Sequence, residues 1–231
     1  MVIGALGDIH GAFDIATDIM LRHPDVPYWL QVGDVASNDG EYFSPPRPLY
    51  WIKGNNEDFD IIARAIAGVP PSPTLHFLEN GGPHQVGTLR IAALGGTYAP
   101  TWYHTAPSAL PPSRGQRVGA GVLKLGKSRD DKRRHFVREE VLACKRLTDI
   151  DIFMTHEAPR PFHPGGRRLD AGKTVISEAL AAMRPRLHLF GHHHEFTESI
   201  RQGVRSIGLD LVNRSYILID VETLHCERLD T

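Results

Sequence analysis

The chain has 231 residues, 41% of them hydrophobic, and its 26 basic and 27 acidic side chains leave a formal charge of −1. That length and apolar content suit one full-sized core, expected as a single domain over residues 1–231. The near-zero charge excludes an overall nucleic-acid-coating or membrane-surface character while leaving room for a local patch.

Short apolar runs, each closed by Gly, Asp, His or Asn, recur along the chain and predict buried strands: "VIGALGD", "YWLQVGD", "LYWIKGNN", "LRIAALGG", "DIFMTHE" and "LHLFGHHH". Helical spacing lies between several of them. It links Phe13, Ala16, Ile19 and Met20 after the first run, then Val137, Val141 and Cys144, then Val175, Ala179, Ala182 and Met183 ahead of Pro185. Strands alternating with helices predict a layered α/β fold. The tail, residues 197–229, reads instead as consecutive strands joined by turns at Gln202-Gly203 and Asn213-Arg214. The Pro-rich pieces at 45–48, 70–73 and 107–112 read as surface loops. No apolar run reaches the about 18 residues of a membrane span. No basic, apolar and small-residue leader precedes "MVIGALGDIHG". Cys144 and Cys226 are too few for a disulfide framework and read as reduced residues. A cytoplasmic protein without a membrane or an obligatory protein partner is therefore expected.

In α/β folds ligands gather beyond the carboxyl ends of strands. The polar residues at those places are Asp8 and His10, Asp34, Asn55, His156, and His192 with His194. All are oxygen or imidazole donors, the set that suits two divalent first-row ions: manganese foremost, with iron, zinc, nickel or cobalt as alternatives. One carboxylate shared between two ions would give each about four protein ligands and leave room for water. Alternation along extended chain would turn i and i+2 the same way, so Asp8 with His10, and His192 with His194, face the ions while His193 points elsewhere.

The stretches "GDIHG", "GDV", "GNNED", "THEAP" and "GHHH" stand in the order and spacing of the calcineurin-like metallophosphoesterase superfamily. That superfamily reads D-x-H, G-D, G-N-H-(D/E), a lone His and G-H-x-H, and the chain resembles it over residues 7–194. The resemblance implies a four-layer αββα sandwich, two mixed β-sheets flanked by helices. It also implies one metal on Asp8, His10, Asp34 and His194, and a second on Asp34, Asn55, His156 and His192, with Asp34 bridging. The implied activity is hydrolysis of phosphate esters by in-line attack of a hydroxide held between the metals, with Asp34, His156 and Asn56 carrying the catalysis. One position departs: Asn56 stands where the superfamily usually has the histidine that assists the leaving group. An amide hydrogen-bonds but donates no proton at neutral pH, which tilts the expected substrate toward phosphodiesters or nucleotides, nucleic-acid diesters included. A phosphomonoesterase, a protein phosphatase, or a protein-binding scaffold on the same fold are the rival readings.

Residues 97–121 read as a long surface loop or as a lid in which Tyr98, Trp102, Tyr103 or His104 stacks on a base or sugar. Arg129, Lys132, Arg133 and Arg134 read as the solvated face of a helix or as a track for a polyanion. The layout from residue 74 onward also resembles the catalytic domain of RNA lariat debranching enzymes, though Asp8 stands where those often have cysteine. "PGGRRLDAGKT" fails as a phosphate-binding loop, because position 167 is arginine where the pattern needs glycine. It reads as a turn before a helix starting near Lys173, with His163, Arg167 and Arg168 free to meet phosphate. His23, His76, His84, His135, His188 and His225 belong to no motif and read as surface or core residues.

Overall fold

A computed structural model describes residues 1–112 and 131–231, together with the short ladder Arg117–Val118 against Gly121–Val122. In chain order the elements are β1 (Val2–Leu6), α1 (Phe13–Arg22), β2 (Trp29–Gln31), β3 (Leu49–Trp51), α2 (Phe59–Ile66), β4 (Leu75–Phe77), β5 (Pro83–Val86) and β6 (Leu89–Leu94). They continue with β7 (Arg117–Val118), β8 (Gly121–Val122), α3 (Arg138–Lys145), β9 (Ile152–Thr155), α4 (Thr174–Met183), β10 (Leu187–Phe190), β11 (Thr197–Arg201), β12 (Val204–Gly208), β13 (Ser215–Asp220) and β14 (Cys226–Asp230). Every apolar run read as a strand is one.

The strands form two mixed six-stranded sheets. The first runs β14-β13-β1-β2-β3-β4, parallel from β1 to β4 and antiparallel at β13 and β14. The second runs β11-β12-β10-β9-β6-β5, parallel in its four central strands and antiparallel at both edges. Both sheets are covered on two faces, which is why the central strands read as unbroken apolar runs. Ile3, Ala5, Leu30, Val32 and Ile52 of the first sheet meet Ile91, Ala93, Ile152, Met154 and Leu189 of the second in one core cluster. The alternate residues face outward. Leu6, Trp29, Leu49 and Trp51 pack on Ala16, Ile19 and Met20 of α1 and on Phe59 and Ile62 of α2. Ala92, Leu94 and Phe153 pack on Val141 and Cys144 of α3 and on Ile176, Ala179 and Leu180 of α4. The order helix, sheet, sheet, helix is the four-layer αββα sandwich. No helix among the described residues is long and apolar enough to cross a membrane.

Two local readings change. Helix α2 was not anticipated, although Phe59, Ile62, Ala63 and Ile66 stand at helical spacing. It starts because the Asp58 side chain accepts from the backbone N–H of Asp60 at 2.9 Å and of Ile61 at 3.2 Å, which satisfies donors the first turn leaves open. In the tail, Gln202 and Gly203 do turn the β11–β12 hairpin, both at positive φ. Asn213 and Arg214, by contrast, join no hairpin, because β12 belongs to the second sheet and β13 to the first. The chain crosses between sheets there, so β13 pairs with β1 instead.

His188 on β10 is a core histidine. Its Nε2 lies 2.9 Å from Thr155 Oγ1 and its Nδ1 lies 3.1 Å from Ser206 Oγ. Burial pushes it down to about 3 from 6.5, so it stays neutral in the fold. The unfolded chain therefore takes up this proton first as pH falls, and the stability it contributes at neutral pH is lost between about 6.5 and 3. His188→Gln is expected to lose less stability than the native chain across that window, by on the order of a few kcal/mol. Urea unfolding at stepped pH measures it, and identical slopes for the two proteins would sink the expectation.

Candidate metal centre

β1, β2 and β3 end on the same side of the first sheet, and β9 and β10 end on the matching side of the second. The loops leaving these five ends bring the predicted donors together in two groups. Asp8, His10 and His194 form one, and Asp34, His156 and His192 the other, with the donor atoms of each group within 4.8 Å of one another. In the first group His194 Nε2 lies 3.1 Å from both His10 Nε2 and Asp8 Oδ2. In the second, His156 Nε2 lies 3.2 Å from both His192 Nδ1 and Asn55 Oδ1. Asp34 stands between the groups: its Oδ2 is 3.7 Å from His10 Nε2 and 3.6 Å from His156 Nε2.

The backbone reaches this geometry through left-handed conformation, not through strand alternation. His10, Asp34, His192 and His194 have φ of 48°, 62°, 69° and 52°. Such φ costs an ordinary L-residue roughly 1–2 kcal/mol, and strain of this kind concentrates at functional sites. The i, i+2 spacing of Asp8 with His10 and of His192 with His194 thus does bring each pair to the site, but by tight turns beyond the strand ends. Glycine precedes Asp8, Asp34, Asn55 and His192, and at two of these places the reason is steric contact with a carboxylate. A Cβ on Gly54 would overlap Asp34 Oδ1, and one on Gly191 would overlap Asp8 Oδ1, so the carboxylates lie flat against bare backbone.

Charge and hydrogen bonding prepare these side chains for cations. His156 is fully buried, and its Nδ1–H donates to the Val32 carbonyl at 2.9 Å. Its Nε2 then turns a lone pair toward Asn55 Oδ1 and Asp34 Oδ2, an arrangement of acceptors that repel one another until a cation sits among them. Burial alone lowers the His156 pKa, but the charges of Asp34 and Asp8 outweigh it and raise it, so the carboxylates draw positive charge to this point. Asp8, fully buried, is raised by desolvation and lowered further by hydrogen bonds with His10 and His194, ending below the usual carboxylate range. Burial, and after it the charge of His156, pushes His192 down to about 2, a neutral imidazole suited to ligation. The donor set therefore fits divalent cations.

Two supporting residues escaped the sequence reading. Gln31 is fully buried; its Nε2 donates to the carbonyls of Gly7 at 3.1 Å and Gly33 at 2.6 Å, and its Oε1 accepts from the Gly33 N–H at 2.7 Å. It ties the loop carrying Asp8 to the loop carrying Asp34. Glu57 accepts from the N–H groups of Val35 (3.0 Å) and Gly54 (3.3 Å) and from the Tyr42 hydroxyl at 2.8 Å. Burial and the nearby Asp34 charge push it up to about 7. The acidic residue after "GNN" was the only sequence signal for it.

The remaining predicted residues fall in different places. Asn56 is at the site, its N–H 2.7 Å from Asp34 Oδ1 and its Nδ2 2.8 Å from Asp34 Oδ2. His193 belongs to neither donor group; its ring packs 4.5 Å from that of Phe162. Tyr98 turns its ring against Tyr103 and Phe136 in the outer core, and only its backbone N–H reaches the site's margin, donating to Glu157. Trp102 is half-buried, and His104 packs edge-on to Tyr103. His163, Arg167 and Arg168 are exposed on the loop after β9. Lys132, Arg133 and Arg134 form a single 3-10 turn, with Arg133 paired to Asp60 and Asp131. Arg129 and the part of the 97–121 segment beyond residue 112 lie outside the described residues, apart from β7 and β8.

The chain is 26% identical over 191 residues to the lariat debranching enzyme of Schizosaccharomyces pombe, a stretch covering 74% of this chain and 38% of that enzyme. It thus spans well under half the length of that relative. Among solved structures, the protein TT1561 of Thermus thermophilus matches with a TM-score of 0.62 at 14% identity, over 99% of this chain and 98% of that one. A novel archaeal phosphodiesterase matches with a TM-score of 0.51 at 11% identity, over 100% of both chains. At such identities the two structures attest the fold. The model of the calcineurin-like phosphoesterase family matches residues 1–196, and the chain belongs to that family.

Proposed function

We propose that this protein is a two-cation phosphoesterase that hydrolyses phosphodiesters or nucleotides, with Asp8, His10, Asp34 and His194 holding one cation and Asp34, Asn55, His156 and His192 the other. The observation that carries the reading is the position of the Asp34 carboxylate, one oxygen of which is near-equidistant from His10 and His156. Manganese is the proposed ion, on a donor set of mixed carboxylate, carboxamide and imidazole. Bound divalent cations supply Lewis acidity toward phosphoryl oxygens and lower the pKa of water.

The chain's own residues do the rest. Asp34 keeps the two donor groups in register. His156, pinned by the Val32 carbonyl, presents Nε2 to the second group. Asn56 is fixed through two hydrogen bonds to Asp34, leaving its second amide N–H for a phosphoryl oxygen. It orients the phosphate but has no proton for the leaving group, which favours diesters. The likeness to a lariat debranching enzyme supports the same preference. The free thiols Cys144 and Cys226 support a cytoplasmic setting.

The test is metal analysis of the purified protein together with turnover of bis-p-nitrophenyl phosphate and of p-nitrophenyl phosphate. Bound metal with diester turnover that a chelator abolishes is the expected result. Asn56→His is expected to raise the monoester-to-diester rate ratio about tenfold or more, since a positioned proton donor contributes roughly 10²–10⁴-fold. An unchanged ratio would dismiss the role given to Asn56.

A further inference from the structure

The seven donors account for binding cations, and Asn56 supplies a neutral contact. A substrate phosphate is anionic, and the side the second sheet contributes holds a cation that the proposed chemistry does not use. Lys173 caps the start of α4, and its backbone is tied to the loop that follows His156: its N–H donates to the Ala158 carbonyl at 2.9 Å, in a bridge with Pro159. Its ammonium lies 3.2 Å from Glu157 Oε1. Glu157 is buried, its other oxygen accepts from the Tyr98 N–H, and its Oε1 is 4.0 Å from His192 Nε2. One carboxylate therefore separates the ammonium from a proposed ligand.

Glu157 pins Lys173 without using it up. An ammonium has three donors, and among the described residues Glu157 alone takes one. The Lys173 side chain is 25% exposed and that of His192 29%, so both reach solvent beside the buried Glu157. His163, Arg167 and Arg168 are exposed on the same loop, with no comparable buried anchor among the described residues.

We propose that Lys173, held by Glu157, contacts the phosphoryl group of the substrate beside His192, supplying from the second sheet the positive charge that Asn56 lacks. The inference rests on the phosphoesterase reading and assigns a substrate-contacting residue within it. The test uses the full chain loaded with manganese, comparing the native protein with Lys173→Gln, Lys173→Met and Lys173→Arg. Bound manganese, kcat and KM for bis-p-nitrophenyl phosphate, and the inhibition constant of inorganic phosphate are measured. With metal content unchanged, Lys173→Gln and Lys173→Met are expected to lose about 10–100-fold in kcat/KM and to bind inorganic phosphate about tenfold more weakly, the scale of one charge-assisted hydrogen bond. Lys173→Arg is expected to restore most of both. Unchanged phosphate inhibition in Lys173→Gln and Lys173→Met would overturn the proposal. So would loss of manganese from either, because Lys173 would then be holding ligands instead of substrate. A native protein with neither metal nor turnover would overturn the phosphoesterase reading itself, a result distinct from these.

Discussion

Asp34→Asn is expected to leave at most one manganese per chain where the native protein is proposed to bind two, and to cut turnover of bis-p-nitrophenyl phosphate by about 10³-fold or more. The magnitude follows from the several kcal/mol of transition-state stabilisation that paired cations supply. The substitution keeps shape and volume. The new amide oxygen would still accept from the Asn56 N–H, now 2.7 Å from Asp34 Oδ1, so the fold should survive. What changes is the atom facing His10 and His156: with the amide oxygen kept on the Asn56 N–H, the group turned to both donor sets is an NH2, which offers no anionic oxygen to a cation. Metal stoichiometry by elemental analysis is the decisive measurement, and two ions retained in Asp34→Asn would dismiss the shared carboxylate.

Gly54→Ala is expected to damage the same carboxylate without touching a donor. The added methyl would overlap Asp34 Oδ1, which the Asn56 N–H holds in place, and crowd the Asp34 backbone nitrogen, which cannot swing away. Overpacking of this kind costs typically about 1–3 kcal/mol, and in a chain of this length each kcal/mol lowers Tm by about 2–4 °C. Gly54→Ala should therefore melt several degrees lower and bind manganese weakly. Gly82→Ala is the control, because nothing lies within 4 Å of a Cβ there, and its Tm should stay close to native. Equal melting temperatures and equal metal affinity in the two variants would show that Asp34 has room the packing denies it.

The donors were legible in the sequence because each sits at a fixed offset from a strand end, and strand ends are where apolar runs stop. Asp8, Asp34 and His156 could be read that way, and the layered fold followed from runs such as "DIFMTHE" that are apolar on both faces. The means by which His10 and His192 arrive was not legible. A left-handed φ at a histidine leaves no mark on composition or period, so alternation was the natural account and the wrong one. Helix α2 was missed because Asp58, its cap, follows a motif that already drew the eye. Gln31 and Glu57 were hidden for another reason: part of what each holds, Gly7 for Gln31 and Val35 for Glu57, lies more than twenty residues away in sequence. The destination of the tail was equally hidden. Nothing local distinguishes a strand that turns back on β12 from one that leaves for the other sheet.

That departure sets when the molecule can assemble. Val2 through Leu6 pair with Tyr216 through Asp220, and Asp8's carbonyl accepts from the Val212 N–H at 3.0 Å. The strand that launches the first metal-binding loop therefore waits for residues more than two hundred positions away before its sheet is complete. Contacts this distant slow a folding reaction, since the loop must close before it is rewarded. On a ribosome the earliest-made of the proposed donors, Asp8, would be set in place among the last, so a cation site there would have to wait until β13 has been made.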